Sequence, residues 1–283
     1  MEGNLSLSKI LIMDSGVGGL SVAHEVHNLI PDCQIHYFAD HAATPYGEKD
    51  PSWLLDRVVQ AATHMVNRVE PDLLIIACNT ASTLSLPSLR AAFSIPIIGV
   101  VPAVKTASSA TQNGKIGVLA TPITIDSEYL NDLIENYAPQ HEIIRVASSK
   151  LVSLAEAKMY GQAIDLDELG SIITPLLQAN CDSVVLGCTH FPLLKSELSQ
   201  LAPKTQWIDS GRAIANRAAS LLGPIARQTS KTSHLNEQHY FYTSAMGQTG
   251  LKTKLVQLNF KTNEYISHLD NLSSSKGVNH VEC

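Results

Sequence analysis

The 283 residues are 45% hydrophobic but only 16% charged and 5% aromatic, with a net charge of −6. That balance supports a sizeable core, and it leaves neither a basic stripe for a phosphate backbone nor enough aromatics to stack bases, so nucleic acid is excluded as a partner. No apolar run approaches the roughly 18 residues that span a bilayer, and the polar stretch 1–9 ahead of Ile10-Leu11-Ile12-Met13 is no signal sequence, so the expected place is the cytoplasm, away from membranes.

In chain order, short apolar runs alternate with longer stretches of helical period. Strands are expected over residues 9–13, 34–39, 73–77, 95–101, 115–119, 141–146, 183–186 and 205–208. Helices are expected over 20–29, 52–69, 88–93, 127–137, 151–159, 165–180 and 193–201, with an apolar helix over 213–222. This alternation is the pattern of βαβ units, and near-continuous apolar strands belong to parallel sheets covered on both faces. Beyond 222 the pattern weakens. Residues 228–238 read as a polar loop, 240–243 as an edge strand, 255–260 and 263–268 as short strands or helices, and the Ser/Asn/Gly-rich end after Asp270 as a frayed tail.

The alternation also repeats. Lys9-Ile10 leading to Asp14-Ser15 has a counterpart in Lys115-Ile116 leading to Ala120-Thr121. Asp72 to Cys78 matches Asp182 to Cys188, and 95–99 matches 205–209, all at offsets of 106–110 residues. Three correspondences in order imply an α/β fold of two similar parallel-sheet lobes related by pseudo-symmetry. The expected division is 1–100 with about 213–283 returning to it, and 101–212 as the second lobe. Open parallel sheets bind ligands beyond the carboxyl ends of their strands. Two facing lobes therefore put the active site in the cleft between them.

Five cysteines (Cys33, Cys78, Cys181, Cys188 and Cys283) form no C-x-x-C pair and no zinc set, so no metal is implied and the thiols are expected to be reduced. A lone Cys at the end of an apolar strand is most often structural. Cys78 and Cys188 are different because they stand at equivalent strand ends, in Cys78-Asn79-Thr80-Ala81-Ser82 and Cys188-Thr189-His190. Two matched thiols supply two mirror-related acid/base groups, which is what a reaction working on both faces of a carbon needs. A helix starting soon after Cys78, with Pro87 in its first turn, would draw that thiol toward neutrality. His190 beside Cys188 would tune the second thiol. Cys33 and Cys181 read as structural, and Cys283 as part of the tail.

Other positions carry a chemical and a plain reading side by side. Asp14-Ser15-Gly16-Val17-Gly18-Gly19 is a glycine-rich strand-to-helix turn, suited to an anion or to nothing in particular. Its unusual element is the carboxylate, which would hold a ligand ammonium or act as a base. It is neither G-x-G-x-x-G nor a P-loop. Tyr46-Gly47 after Pro45 is a turn. Thr121 and Thr124 would cap a helix starting near Asp126. Glu156, on the 151–159 helix, reads as a solvated side chain.

Together Asp14–Leu20, Pro45-Tyr46-Gly47, Cys78–Ser82 and Gly187-Cys188-Thr189-His190-Phe191-Pro192-Leu193 resemble the motifs of the bacterial glutamate racemases, within the cofactor-independent aspartate/glutamate racemases. The likeness covers roughly residues 9–222 and departs at Met13 and at Ala147-Ser148-Ser149-Lys150. It implies that Cys78 and Cys188 are the catalytic acid/bases, assisted by Asp14, His190 and Glu156. It implies that Asp14, Ser15, Tyr46, Gly47, Asn79, Thr80, Thr121, Thr189 and His190 line the substrate. It further implies glutamate as substrate, D-glutamate supply for peptidoglycan, a homodimer, and a cell-wall precursor as a candidate activator. No cofactor is implied: no Lys sits in a Schiff-base context near the motifs. With no Arg in them either, substrate carboxylates would rest on the hydroxyls of Ser15, Thr80, Thr121 and Thr189 and on helix-start N–H groups.

Overall fold

Strand β1 (Lys9–Asp14) is buried from Ile10 onward because helices cover both of its faces. The computed structural model describes residues 7–223, 238–244, 248–267 and 269. The loop expected over 228–238 (apart from Gln238), the tail expected after Asp270 and Cys283 lie outside the described residues. In the first sheet β1 pairs with β2 (Gln34–Ala39) and β3 (Leu73–Ile76), and β3 with β4 (Ile97–Gly99). Its order is completed by β9 (Gln238–Tyr242) and β10 (Phe260–Tyr265) as β10-β9-β2-β1-β3-β4. The second sheet holds β5 (Lys115–Ala120), β6 (Glu142–Ala147), β7 (Ser183–Leu186) and β8 (Gln206–Ile208) in the order β6-β5-β7-β8. Every pairing among these strands is parallel.

The four strands β2-β1-β3-β4 of the first sheet thus repeat the order β6-β5-β7-β8 of the whole second sheet. Register repeats too: Ile10 faces Leu73 and Ile116 faces Ser183. The Ala77 N–H donates to the Met13 carbonyl at 2.7 Å, and the Gly187 N–H to Leu119 at 2.8 Å. The aspartates that open the two matched runs do matching work. Asp72 Oδ2 accepts from the Lys9 N–H at 2.8 Å, while Asp182 accepts from Gln112 and Asn113 N–H at 2.8 and 2.9 Å. Each carboxylate anchors the start of the neighbouring strand, which fixes where that strand's far end delivers its polar residue.

On one face of the first sheet α1 (Leu20–Leu29) and α10 (Gly211–Leu222) pack over Ile10, Ile12, Ile35 and Tyr37. On the other, α2 (Pro51–Val69) and α3 (Asn79–Ala92) pack over Leu11, Met13, Phe38 and Leu74. In the second sheet α7 (Lys150–Met159) and α8 (Leu166–Gln178) share a core with Leu119, Val184 and Leu186. Asp50 caps α2 by accepting from Ser52 and Trp53 N–H, and Asp165 caps α8 in the same way.

Several elements differ from their expected form. Helix α3 begins at Asn79 rather than near 88, and Pro87 lies inside it. Its Ser and Thr side chains donate back to carbonyls, Thr83 to Asn79 and Ser85 to Ala81, which satisfies them within an otherwise weak helix sequence. Strand β9 is interior, because β10 covers the side that was expected to be free. Residues 248–257 form α11 (Gln248–Gln257), and 260–265 the edge strand β10. Ser127, not Thr121 or Thr124, caps α6 (Glu128–Tyr137), its hydroxyl accepting from the Leu130 N–H at 3.1 Å. Among the described residues no helix is long and apolar enough to cross a membrane.

Candidate active site

The carboxyl end of β1 delivers Asp14 into the cleft, and the glycine turn folds around it. Asp14 Oδ1 accepts from the Ser15 N–H at 2.7 Å and Oδ2 from Gly19 at 2.5 Å. The Val17 N–H donates to Glu156 Oε1 at 2.9 Å. The turn's amides therefore serve the protein's own carboxylates rather than an external phosphate. Its glycines are required by close approach: a Cβ on Gly16 would stand 2.1 Å from Glu156 Oε1, and one on Gly18 2.3 Å from His190 Nδ1. Tyr37, on β2, donates from its hydroxyl to the Gly16 carbonyl at 2.7 Å and locks the turn from beneath.

Cys78 ends the β3 segment in extended conformation and occupies the position before α3; Cys188 follows β7 in the equivalent place. Both are nearly buried, as are Asp14, Ser15, Tyr46, Asn79, Thr80, Thr121, Thr189 and His190. The thiols are within electrostatic reach of each other, and Asp14 is within reach of Cys78. The helix start does not lower the Cys78 thiol as expected. Burial pushes it well above its ordinary value and the Asp14 and Cys188 charges add to that, while the Ala81 and Thr80 N–H groups oppose it and lose.

Cys188 Sγ lies 3.9 Å from His190 Nδ1, and His190 Nε2 lies 2.8 Å from Glu156 Oε1. Burial alone would pull His190 down. Its hydrogen bonds with Cys188 and Glu156 and the charges of Asp14 and Glu156 outweigh burial and hold it well above 6.5. Burial raises Glu156, but His190 and the Val17 N–H more than compensate and leave it lowered. Asp14 is the opposite case. Burial lifts it to about 6 despite the His190 charge and two amide donors. Glu156 is thus a partly buried partner of His190, not the solvated helix residue its sequence context suggested, because α7 turns this position toward the glycine turn.

Thr80 Oγ1 lies 3.3 Å from Thr121 Oγ1, which lies 3.2 Å from Thr124 Oγ1. This hydroxyl chain bridges the lobes. Gly47 packs on the same Thr121; a Cβ there would come within 3.1 Å of the Thr121 Cβ. The Tyr46 hydroxyl donates to Asp40 Oδ2 at 2.8 Å and is not free to donate to a ligand. Thr189 Oγ1 reaches Asp14 Oδ2 at 3.5 Å. Asn79 has neither amide nitrogen nor oxygen partnered, although it is buried. Of the residues singled out from the sequence, Asp14, Glu156, Cys188, Thr189 and His190 thus share one set of contacts, and Gly47, Thr80 and Thr121 another.

Others at the cleft were missed. His41, buried with its Nε2 2.8 Å from the Tyr240 hydroxyl, feels the charges of Glu156 and His190. Asp40 directly follows β2, its N–H donating to the carbonyl of Asp14 at the end of β1 at 2.9 Å, and that position just past an apolar strand was the available signal. Arg57 stands on the buried face of α2 with Leu54, Val58 and Ala61, and a charge within an apolar helical stripe was its signal. Cys33 and Cys181 are free thiols raised by burial to about 12 and about 11, as suits structural cysteines. Among the described residues no group of three or more His, Cys, Asp or Glu could hold a metal ion.

Comparison with known proteins agrees with this geometry. A family model described as Asp/Glu/Hydantoin racemase matches residues 20–218. The glutamate racemase of Salmonella gallinarum is 48% identical over 226 residues, covering 78% of this chain and 80% of that one. The glutamate racemase of Pectobacterium atrosepticum is 49% identical over 219 residues, covering 76% and 77%. The structure of Escherichia coli glutamate racemase in complex with L-glutamate and the activator UDP-MurNAc-ala superposes with a TM-score of 0.85 at 41% identity, over 92% of this chain and 98% of that one. The Francisella tularensis glutamate racemase in complex with D-glutamate gives 0.72 at 27% identity, over 93% and 98%. With two matched strand-end thiols in one cleft and these likenesses along most of its length, the chain belongs to the Asp/Glu/Hydantoin racemase family, among its glutamate racemases.

Proposed function

We propose that this protein interconverts L- and D-glutamate by moving the Cα proton between Cys78 and Cys188, without a cofactor. The observation that carries the reading is the pairing of the thiols. They come from pseudo-equivalent strand ends, they feel each other's charge, and each has its own ionisable neighbour. The thiolate of one removes the Cα–H from one face, and the thiol of the other returns a proton to the opposite face. Afterwards their protonation states are exchanged, so the reverse reaction is equally served. The Cα–H is a weak acid, and the cleft must stabilise carbanion character through charge and hydrogen bonds.

Asp14 is assigned to the substrate ammonium, and the cation in turn offsets the cost of a thiolate at Cys78. His190, kept protonated by Glu156, is assigned to Cys188. Asn79, Thr80, Thr121 and Thr189, with Ser15 and the amides of the Tyr46-Gly47 loop, are assigned to the substrate carboxylates. Because the site residues are nearly buried, entry requires the lobes to part. We assign the moving units to 1–100 with 213–283, and to 101–212.

The wider roles extend from the relatives. D-Glutamate would feed peptidoglycan synthesis in the cytoplasm, and the enzyme would act as a homodimer. A cell-wall precursor is the candidate activator, since the E. coli relative was captured with UDP-MurNAc-ala. The test is purified protein with L-glutamate in D2O and no added cofactor. Loss of optical rotation with Cα deuterium uptake, both abolished by thiol alkylation, is the expected result. A protein inert in both respects would refute the reading.

A further inference from the structure

Asp40 is the most completely committed carboxylate near the cleft. Its Oδ1 accepts from Arg57 Nη2 at 2.6 Å and from the Thr243 hydroxyl at 2.9 Å. Its Oδ2 accepts from Arg57 Nε at 2.8 Å and from the Tyr46 hydroxyl at 2.8 Å. The ion pair is sealed, with side-chain exposures of 2% for Arg57 and 0% for Asp40. Arg57 Nη1 donates to the Leu269 carbonyl. The Thr243 hydroxyl also accepts from the Ala42 N–H at 2.9 Å, and the Ala39 carbonyl accepts from the Thr243 N–H at 3.3 Å.

One carboxylate thus joins three parts of the chain. The first is the loop after β2, which carries Tyr46-Gly47 onto Thr121 of the second lobe. The second is α2. The third is C-terminal: Thr243, just after β9, and Leu269. A buried ion pair is seldom a net source of stability compared with apolar packing, and its surviving advantage is fixed geometry. Here the geometry fixed is that of the Tyr46-Gly47 loop. The bidentate guanidinium sets the carboxylate plane, the carboxylate sets the Tyr46 hydroxyl, and the Thr243 hydroxyl completes the acceptor set from the C-terminal side.

We infer that Asp40 is a positioning residue for substrate binding, held by Arg57 and Thr243, and that it makes glutamate affinity depend on the docked C-terminal segment. This rests on the reading that glutamate binds beside Tyr46 and Gly47. Thr243 touches none of the groups assigned to proton transfer, so its influence runs through Asp40 and the loop. The coupling predicts an effect on KM with little effect on kcat. It also predicts that removing the Tyr46 hydroxyl and the Thr243 hydroxyl together does less than the product of the two single changes, because both act on one carboxylate.

The experiment is full-length wild type, Thr243→Val, Thr243→Ser, Tyr46→Phe and the Thr243→Val/Tyr46→Phe double variant, each assayed for glutamate racemisation. Thr243→Val and Tyr46→Phe are each expected to raise KM about five- to tenfold with kcat within about twofold of wild type. Thr243→Ser, which restores the hydroxyl, is expected to return KM to wild type. The double variant should stay well below the multiplied effect. A wild-type KM in Thr243→Val, or strictly multiplicative effects, would overturn the inference while leaving the racemase reading intact. If Thr243→Val does not fold, an unchanged KM in Tyr46→Phe overturns the inference by itself. A wild type that neither racemises glutamate nor exchanges its Cα proton would take down both.

Discussion

Glu156 and His190 meet at 2.8 Å, and the same Glu156 oxygen accepts the Val17 N–H from the opposite lobe at 2.9 Å. The first contact lies within the second lobe, between α7 and the segment after β7. The second bridges the cleft. Opening of the lobes as proposed above would break the bridge to Val17 and leave the pair with His190 within one lobe, so that His190 would keep its charge partner.

Glu156→Gln keeps the shape and removes the charge. His190 then titrates lower. The imidazolium form exists below the His190 pKa, so in the variant it is lost at lower pH than in wild type. The alkaline limb of kcat is expected to move toward lower pH, with kcat reduced about 10- to 100-fold near pH 8. A pH–rate profile with an unmoved limb would detach Glu156 from the chemistry. The raised His190 also stabilises the fold, fully so below 6.5, and that share disappears as pH rises through its folded value.

Asp14 should set the acid limb. Its carboxylate, raised to about 6 by burial, is charged above that pH and neutral below it. If the charged form holds the substrate ammonium, kcat/KM falls about tenfold per pH unit below the limb. Stability from this group runs the other way. The folded protein holds the Asp14 proton where the unfolded chain has released it, so this contribution rises as pH drops from about 6 toward 3.8. Rate profiles and denaturant titrations at pH 5 and 7 separate the two. Activity that stays flat down to pH 5 would rule Asp14 out as the charged partner.

Cys78→Ser and Cys188→Ser should each lower racemisation by about 10²- to 10⁴-fold. Each should retain some one-sided proton chemistry, detectable as elimination from a glutamate analogue with a β leaving group. The two should differ in which enantiomer still reacts. Near-wild-type turnover in either variant would end the two-base scheme.

Asn79→Ala offers a sharper contrast. The Asn79 amide is buried without a protein partner, a state that costs stability unless a ligand pays it back. The variant is expected to raise KM about tenfold or more while its melting temperature stays level or rises. A destabilised variant with unchanged KM would mean that the amide supports the fold and not the substrate.

Much of the fold was legible because it rests on local pattern. Apolar strands such as 9–13 and 115–119 are continuous since both sheet faces are covered, and the matched runs ending at Cys78 and Cys188 exposed the pseudo-symmetry. Helix α3 was misplaced because Pro87 and the Ser/Thr-rich start at Asn79 look unhelical until their hydroxyls find carbonyls one turn back. Strand β9 looked like an edge because β10, which covers it, is itself a weak sequence signal.

By itself the amino-acid order determined the strand-end thiols and the glycine turn, which depend on neighbours within a few residues, and the two-lobed α/β plan, which shows as the same local pattern repeated 106–110 residues on. Only the tertiary structure decided the rest. Glu156 became a partly buried partner of His190, Asp40 found Arg57 and Thr243, and Cys78 was driven up rather than down. These outcomes depend on burial and on charges brought together from residues far apart in the chain, and periodicity carries no record of them.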